Sequence, residues 1–277
     1  MKKWQKLLII ILIITVFVIS PFFQYAKSVA VMAVYSASEY NQSVMKNNDI
    51  EIKIPGGLST MDKDWYPFVM TFNPTPSSFS RRVGRDVEIS IMYNFGAFEY
   101  LKGASSYYDD QSPYYNSFYG AYVIHDENQS FGFNADGTLN EAELSIVPDY
   151  DMRILVLRSL GCTTPTFDYT VDDISYGNSY LGIDDWTIMT STIETQSPIH
   201  AVKKDYQAYI QYGKPYQKDY NGEDFPLMTV YGRVYAKYFA AEKLTVCFYI
   251  IGSDLEAMDF CDSEILQKSE LIRGNPM

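Results

Sequence analysis

The sequence predicts an α+β protein: antiparallel β-sheets with helices packed on one face, preceded by an N-terminal hydrophobic helix. Three observations carry this. Short runs of alternating apolar and polar residues outnumber helical patterns. One long hairpin, 228–239 and 243–251 around Ala240-Ala241-Glu242, leads directly into an amphipathic helix. The chain opens on MKKWQKLLIIILIITVFVISPFF, three lysines ahead of an apolar run.

That opening comes first in order. Lys2, Lys3 and Lys6 form a positive n-region, and Leu7 to Phe23 is a stretch of 17 residues. A signal h-region has about 7–15 apolar residues; a spanning helix needs about 20. The segment therefore reads either as a cleaved signal peptide, with small residues at Ser28-Val29-Ala30 and Val31-Met32-Ala33, or as a transmembrane anchor. Both readings export the rest of the chain, to the outer face of the cytoplasmic membrane or as a secreted protein.

Ile50–Ile54 alternates isoleucines with Glu51 and Lys53 and is stopped by Pro55-Gly56-Gly57, which marks a first strand. Phe68–Phe72 and Val87–Phe95 come next as strands, then shorter candidates at Ala121–Ile124 and Phe131–Phe133. Met152–Leu160 fits either a strand or a short helix, since a brief apolar run does not separate them. Asp185–Ile193 reads as a strand and His200–Tyr212 as a helix ended by Gly213 and Pro215. After the long hairpin, Ser253 and Glu256 have the spacing of a capping box, with Leu255, Met258, Cys261 and Ile265 on one helix face.

The expected organisation is a signal or anchor over 1–30, a polar spacer over 31–48, a β-rich first half over 49–161, and an α+β second half over 162–277. Gly161 to Pro165 is the boundary or crossover, and the halves can also form one domain. The stretch GRVYAKYFAAEKLTVCFYIIGSDLEAMDFCDSEILQKSELI, Gly232 to Ile272, resembles the close of PsbP/Mog1-like domains, and IEIKIPGG at 50–57 is similar to their first strand and turn. The resemblance implies a hairpin with a helix laid on the sheet and a non-catalytic binding or assembly module. It assigns no functional residue.

Formal net charge is −12, and the part after residue 30 carries 18 basic against 34 acidic residues. A surface this acidic repels phosphate backbones, so nucleic acid is excluded as a partner. The partners that fit are a membrane through the N-terminal segment, and an envelope protein or glycan. The three cysteines, Cys162, Cys247 and Cys261, are too few for a disulfide scaffold, but Cys247 and Cys261 lie on adjoining elements and could pair.

Two patterns stand out as sites. SSYYDDQSPYYNSFYGAY presents Tyr107, Tyr108, Tyr114, Tyr115, Tyr119 and Tyr122 among amides and carboxylates, a mixture that suits sugar rings or a protein partner. The same rings could instead be core. The second pattern places Asn134, Asp136, Asn140 and Glu143 at positions three, five, nine and twelve of a calcium loop. Position one is Gly132, however, and the flanks are β-prone, so Asn134-Ala135-Asp136-Gly137 reads more simply as a hairpin turn and no cofactor is expected.

Catalysis has little to stand on. No HExxH, P-loop, Cys-x-x-Cys or nucleophile elbow occurs, and the catalytic set is empty. Arg81, Arg82 and Arg85 form a basic cluster expected in an exposed turn. The functional expectation is an exported binding or assembly module with a tyrosine-rich contact surface. The alternative is a carbohydrate-active hydrolase using paired carboxylates such as Asp109-Asp110, Asp172-Asp173, Asp184-Asp185 or Asp149 with Asp151.

Overall fold

The computed structural model describes residues 3–20, 36–55, 68–72, 77–94, 98–99, 104–199 and 223–274, with single positions at 23, 26, 30 and 34. The expected helix His200–Tyr212 lies outside the described residues.

Helix α1 (Lys3–Ile19) buries none of its side chains. Its 17 residues rise about 25 Å, short of a hydrocarbon core about 30 Å thick. Among the described residues no helix is long and apolar enough to cross a membrane. This corrects the expectation of a transmembrane helix. The apolar lettering runs on to Phe23, past the end of α1, where Ser20 turns its hydroxyl back onto the Phe17 carbonyl.

The remainder is α+β with antiparallel sheets and several helices. The main sheet has seven strands: β2 (Phe68–Phe72), β3 (Glu88–Asn94), β6 (Phe118–His125), β7 (Phe167–Tyr180), β8 (Ile183–Gln196), β9 (Leu227–Phe239) and β10 (Leu244–Gly252). Their spatial order is β2-β3-β6-β10-β9-β8-β7, with every pair antiparallel. β6 and β10 are sequence-distant neighbours at the centre, so a single sheet draws strands from both sides of Gly161. Two small sheets stand apart: β1 (Ile50–Lys53) with β11 (Glu270–Arg273), and β4 (Phe98–Glu99) with β5 (Ala104–Ser105).

β10 is buried at all nine positions and β6 at seven of its eight. A strand alternates its side chains between two faces, so central strands like these need cover on both. Two core clusters supply it. One collects Ile89, Ile91, Tyr93, Tyr122, Ile124, Cys247, Tyr249 and Ile251 from the sheet. Phe79, Leu144, Val147, Tyr150 and Val156 cover them, contributed by α3 (Ser78–Val83), α4 (Glu141–Leu144), α5 (Ile146–Tyr150) and a π-helix over Asp151–Arg158. The other collects Met92, Tyr119, Ala121, Val123, Val246, Phe248 and Ile250, covered by α2 (Val44–Asn47), β1 and α6 (Leu255–Glu264). Helices therefore flank both faces of the sheet rather than one, because its middle has no polar side to leave wet.

Local readings shift in small ways. Asp254, not Ser253, caps α6, accepting from the Ala257 amide at 2.7 Å. Met258, Cys261 and Ile265 point into the core, while Leu255 is exposed. Arg81 and Arg82 sit on helix α3, ended by Gly84 in the left-handed conformation, rather than in a turn. Phe131–Phe133 contributes only an isolated bridge, Phe133 to Leu139. Met152–Leu160 is helical, and its first turns are of π type.

Candidate functional site

Three of the six tyrosines proposed as a contact surface, Tyr107, Tyr119 and Tyr122, are buried, and Tyr108, Tyr114 and Tyr115 are half-buried. Tyr107 and Tyr108 lie just after β5 in a 3₁₀ turn and meet edge-to-face at 4.9 Å. Tyr114 packs edge-to-face on Phe260 of α6. Asn116, at positive φ, folds this segment back. Its amide nitrogen donates to the Tyr107 carbonyl at 2.9 Å, and its side-chain oxygen accepts from the Ser197 hydroxyl at 2.9 Å. The aromatic run is thus core and sheet, not an open face. Rings this large contribute more to stability inside than they would beside water.

The calcium-loop residues are likewise engaged with the chain itself. Asn134 and Gly137 close a tight turn, with Gly137 at φ 83°. Asp136 accepts from the Thr138 amide and hydroxyl, which holds its carboxyl below the usual range. Asn140 caps α4 by accepting from the Glu143 amide. Glu143 accepts from the Gly132 amide at 2.7 Å and pairs with Arg85. Among the described residues no group of three or more metal-binding side chains comes together.

The possible Cys247–Cys261 bridge is not formed. Both thiols are free and buried, and they belong to opposite clusters, Cys247 under the α5 face and Cys261 under α6. Burial pushes each up to about 12. Cys162 is free and raised by burial as well, which disfavours the thiolate a nucleophile needs.

The neighbouring acids Asp149 and Asp151 diverge. Asp149 turns outward to Arg82 and Arg153, while Asp151 turns inward to two phenols. Asp172 accepts from Thr192 across the β7–β8 pair.

What the fold does build is a crevice on the α5 face of the sheet, about 50 Å³ in volume and almost wholly apolar. Its origin is a missing side chain. Gly232 of β9 pairs with Ser191 of β8 on one side and Ile251 of β10 on the other, so this row across the sheet reads small, none, large. Ile193 leans into the gap: a Cβ on Gly232 would come within 2.9 Å of its Cδ1. Leu144, Val147 and Pro148 form the helical wall, and Tyr122 and Tyr249 the wall towards β6. Those two rings stack at 4.6 Å and 15°.

Tyr249 can take that position because Gly120 faces it across the β6–β10 pair. A Cβ on Gly120 would lie 1.8 Å from the Met92 carbonyl oxygen and 2.8 Å from the Tyr249 hydroxyl.

Behind the tyrosine wall lies Asp151, the first residue of the π-helix, with no exposed surface. Tyr122 donates to its Oδ2 at 2.8 Å, and Tyr93 donates to its Oδ1. Burial raises its carboxyl to about 7, partly offset by the two phenol hydrogen bonds. π-helical turns are rare, and those that occur are frequently at functional positions. Here one begins at the residue whose carboxyl must reach both phenols.

The crevice opens onto a polar groove of about 340 Å³, sharing Ser145, Phe167 and Tyr169 with it. Arg82, Asp149, Arg153 and Asp168 line that groove. Arg153 donates to Asp168 at 2.8 Å and to the Phe167 carbonyl at 2.9 Å, tying the start of β7 to the π-helix.

Sequence reasoning missed Gly232, Tyr249, Met189 and Ile193 as site residues. The signal that could have found them was glycine in mid-strand, at Gly120 and Gly232, which marks close approach or an absent side chain. Compared with protein families, curated proteins and solved structures, the chain matches none.

Proposed function

We propose that the protein is an exported, non-catalytic binding or assembly module, and that its contact is one aliphatic side chain of a basic partner segment seated in the Gly232 crevice. The observation that carries this is the apolar crevice itself, opening beside a charged groove. Its size selects the ligand. An apolar cavity of about 150 Å³ holds a benzene ring; at about 50 Å³ the space suits a methyl or isopropyl group and not a lipid chain or a sugar. Apolar anchors in desolvated pockets, ringed by polar residues, are how protein interfaces concentrate their energy. The net charge of −12 favours a cationic partner and steers its approach. The lysines ahead of an apolar opening support export.

The test uses capped tripeptides Lys-X-Lys and reads the amide chemical shifts of Gly232 and Val234. With X as Leu or Val those amides move, with X as Gly they stay, and Val234→Phe, which fills the crevice, abolishes the difference. Equal responses to Leu and Gly peptides would overturn the reading.

A further inference from the structure

We propose that the crevice is proton-linked: seating an apolar side chain there and protonating Asp151 favour each other, so the module holds its partner more tightly in mildly acidic than in neutral or alkaline surroundings. This rests on the anchor-site reading above and adds its regulation.

The geometry supplies the link. Among the described residues, the side chains that bond Asp151 are the phenols of Tyr93 and Tyr122, and no cation reaches it. Tyr122 is at once its hydrogen-bond donor and a wall of the crevice. Tyr249, stacked on Tyr122, points its own hydroxyl at the Met92 carbonyl at 3.4 Å. The nearest charged groups on the same helical segment are used elsewhere. Asp149 pairs with Arg82 and Arg153, and Arg153 also binds Asp168. Tyr150 meets Ser78.

Two protonation states satisfy this cluster differently. Ionised, Asp151 is an acceptor only and holds both phenol hydrogens. Protonated, it donates to one phenol oxygen. If that oxygen is Tyr122's, the Tyr122 hydrogen turns to the Tyr249 oxygen and the Tyr249 hydrogen remains on Met92. No bond is left unmade in either state, so the choice is set by how well the site solvates charge. A partner segment seated over the crevice shuts solvent away from the open side of the tyrosine wall and so disfavours the carboxylate behind it. Binding therefore draws a proton onto Asp151, and by reciprocity a protonated Asp151 strengthens binding. Burial holds the carboxyl at about 7, which puts the switch between weakly acidic and weakly alkaline pH.

The experiment measures affinity for the capped Lys-Leu-Lys peptide at pH 5.5 and pH 8 on the full chain, with the Asp151 carboxyl carbon monitored by NMR. The expected result is affinity roughly fivefold tighter at pH 5.5 than at pH 8, as follows from a shift of about one pKa unit on binding. Asp151→Asn should bind with no pH dependence. Tyr122→Phe keeps the ring but cuts the hydrogen bond, and should weaken the pH dependence. Equal wild-type affinity at both pH values, with the Leu peptide still preferred over the Gly peptide, overturns the proton link and leaves the anchor site standing. No preference for Leu over Gly at either pH removes the anchor site, and the proton link with it.

Discussion

Asp151 is the residue at which the fold departs furthest from what water would choose. In an unfolded chain an aspartate titrates near 3.9; in the folded protein this one is held at about 7. Between those values the folded state carries the extra proton. The stabilisation is therefore complete below about pH 4 and is lost as pH rises through about 7. A shift of about three units corresponds to roughly 4 kcal/mol across the window. Urea unfolding at intervals from pH 4.5 to 8 should show wild-type stability falling with pH relative to Asp151→Asn. Parallel profiles for the two proteins would show that the carboxyl titrates normally. The acid itself was legible in the sequence beside Asp149, but its role was not: two acids two positions apart look alike on paper, and helix geometry sends one to arginines and the other to phenols.

Helix α6 and hairpin β9–β10 were the most legible elements, because a long alternating hairpin and a capped amphipathic helix are locally specified. What locks them together was not legible. Arg233 on β9 donates to Asp262 at 2.6 Å and to Asp259 at 2.7 Å, and Tyr235 adds a third bond at 2.6 Å to Asp262. Asp262 is almost fully buried. Arg233→Ala strands that charge, and should lower stability by about 3 kcal/mol in denaturant titration. A loss under about 0.5 kcal/mol would show that the pair behaves as a surface contact. Strand β7 was missed altogether. FDYTVDDISYGNSY carries three aspartates and no continuous alternation, because it is an edge strand with register shifts along its pairing to β8. Acids and bulges on an edge discourage a second sheet from adding there, and the same features erase the sequence signal for a strand.

The seven-stranded sheet joins β2, β3 and β6 from before Gly161 to β7 to β10 from after it, through the central β6–β10 pair. Both core clusters draw on both halves. The halves therefore form one cooperative unit: thermal unfolding of the chain should give a single transition, coincident by near- and far-ultraviolet circular dichroism. Two separated transitions would mean that the halves fold as independent domains.

By itself the sequence determined the α+β class, the acidic composition, the long hairpin, the helix after it and the Asn134–Gly137 turn. Each depends on spacing within a few residues, which local periodicity and turn chemistry encode. Only the tertiary structure decided that Tyr107, Tyr119 and Tyr122 are interior, that Cys247 and Cys261 face opposite sides, and that Gly232 leaves a crevice with a buried carboxyl behind its tyrosine wall. Those outcomes turn on which strand lies beside which, and on both faces of the central strands being covered. That is a matter of long-range pairing, which no short window of sequence contains.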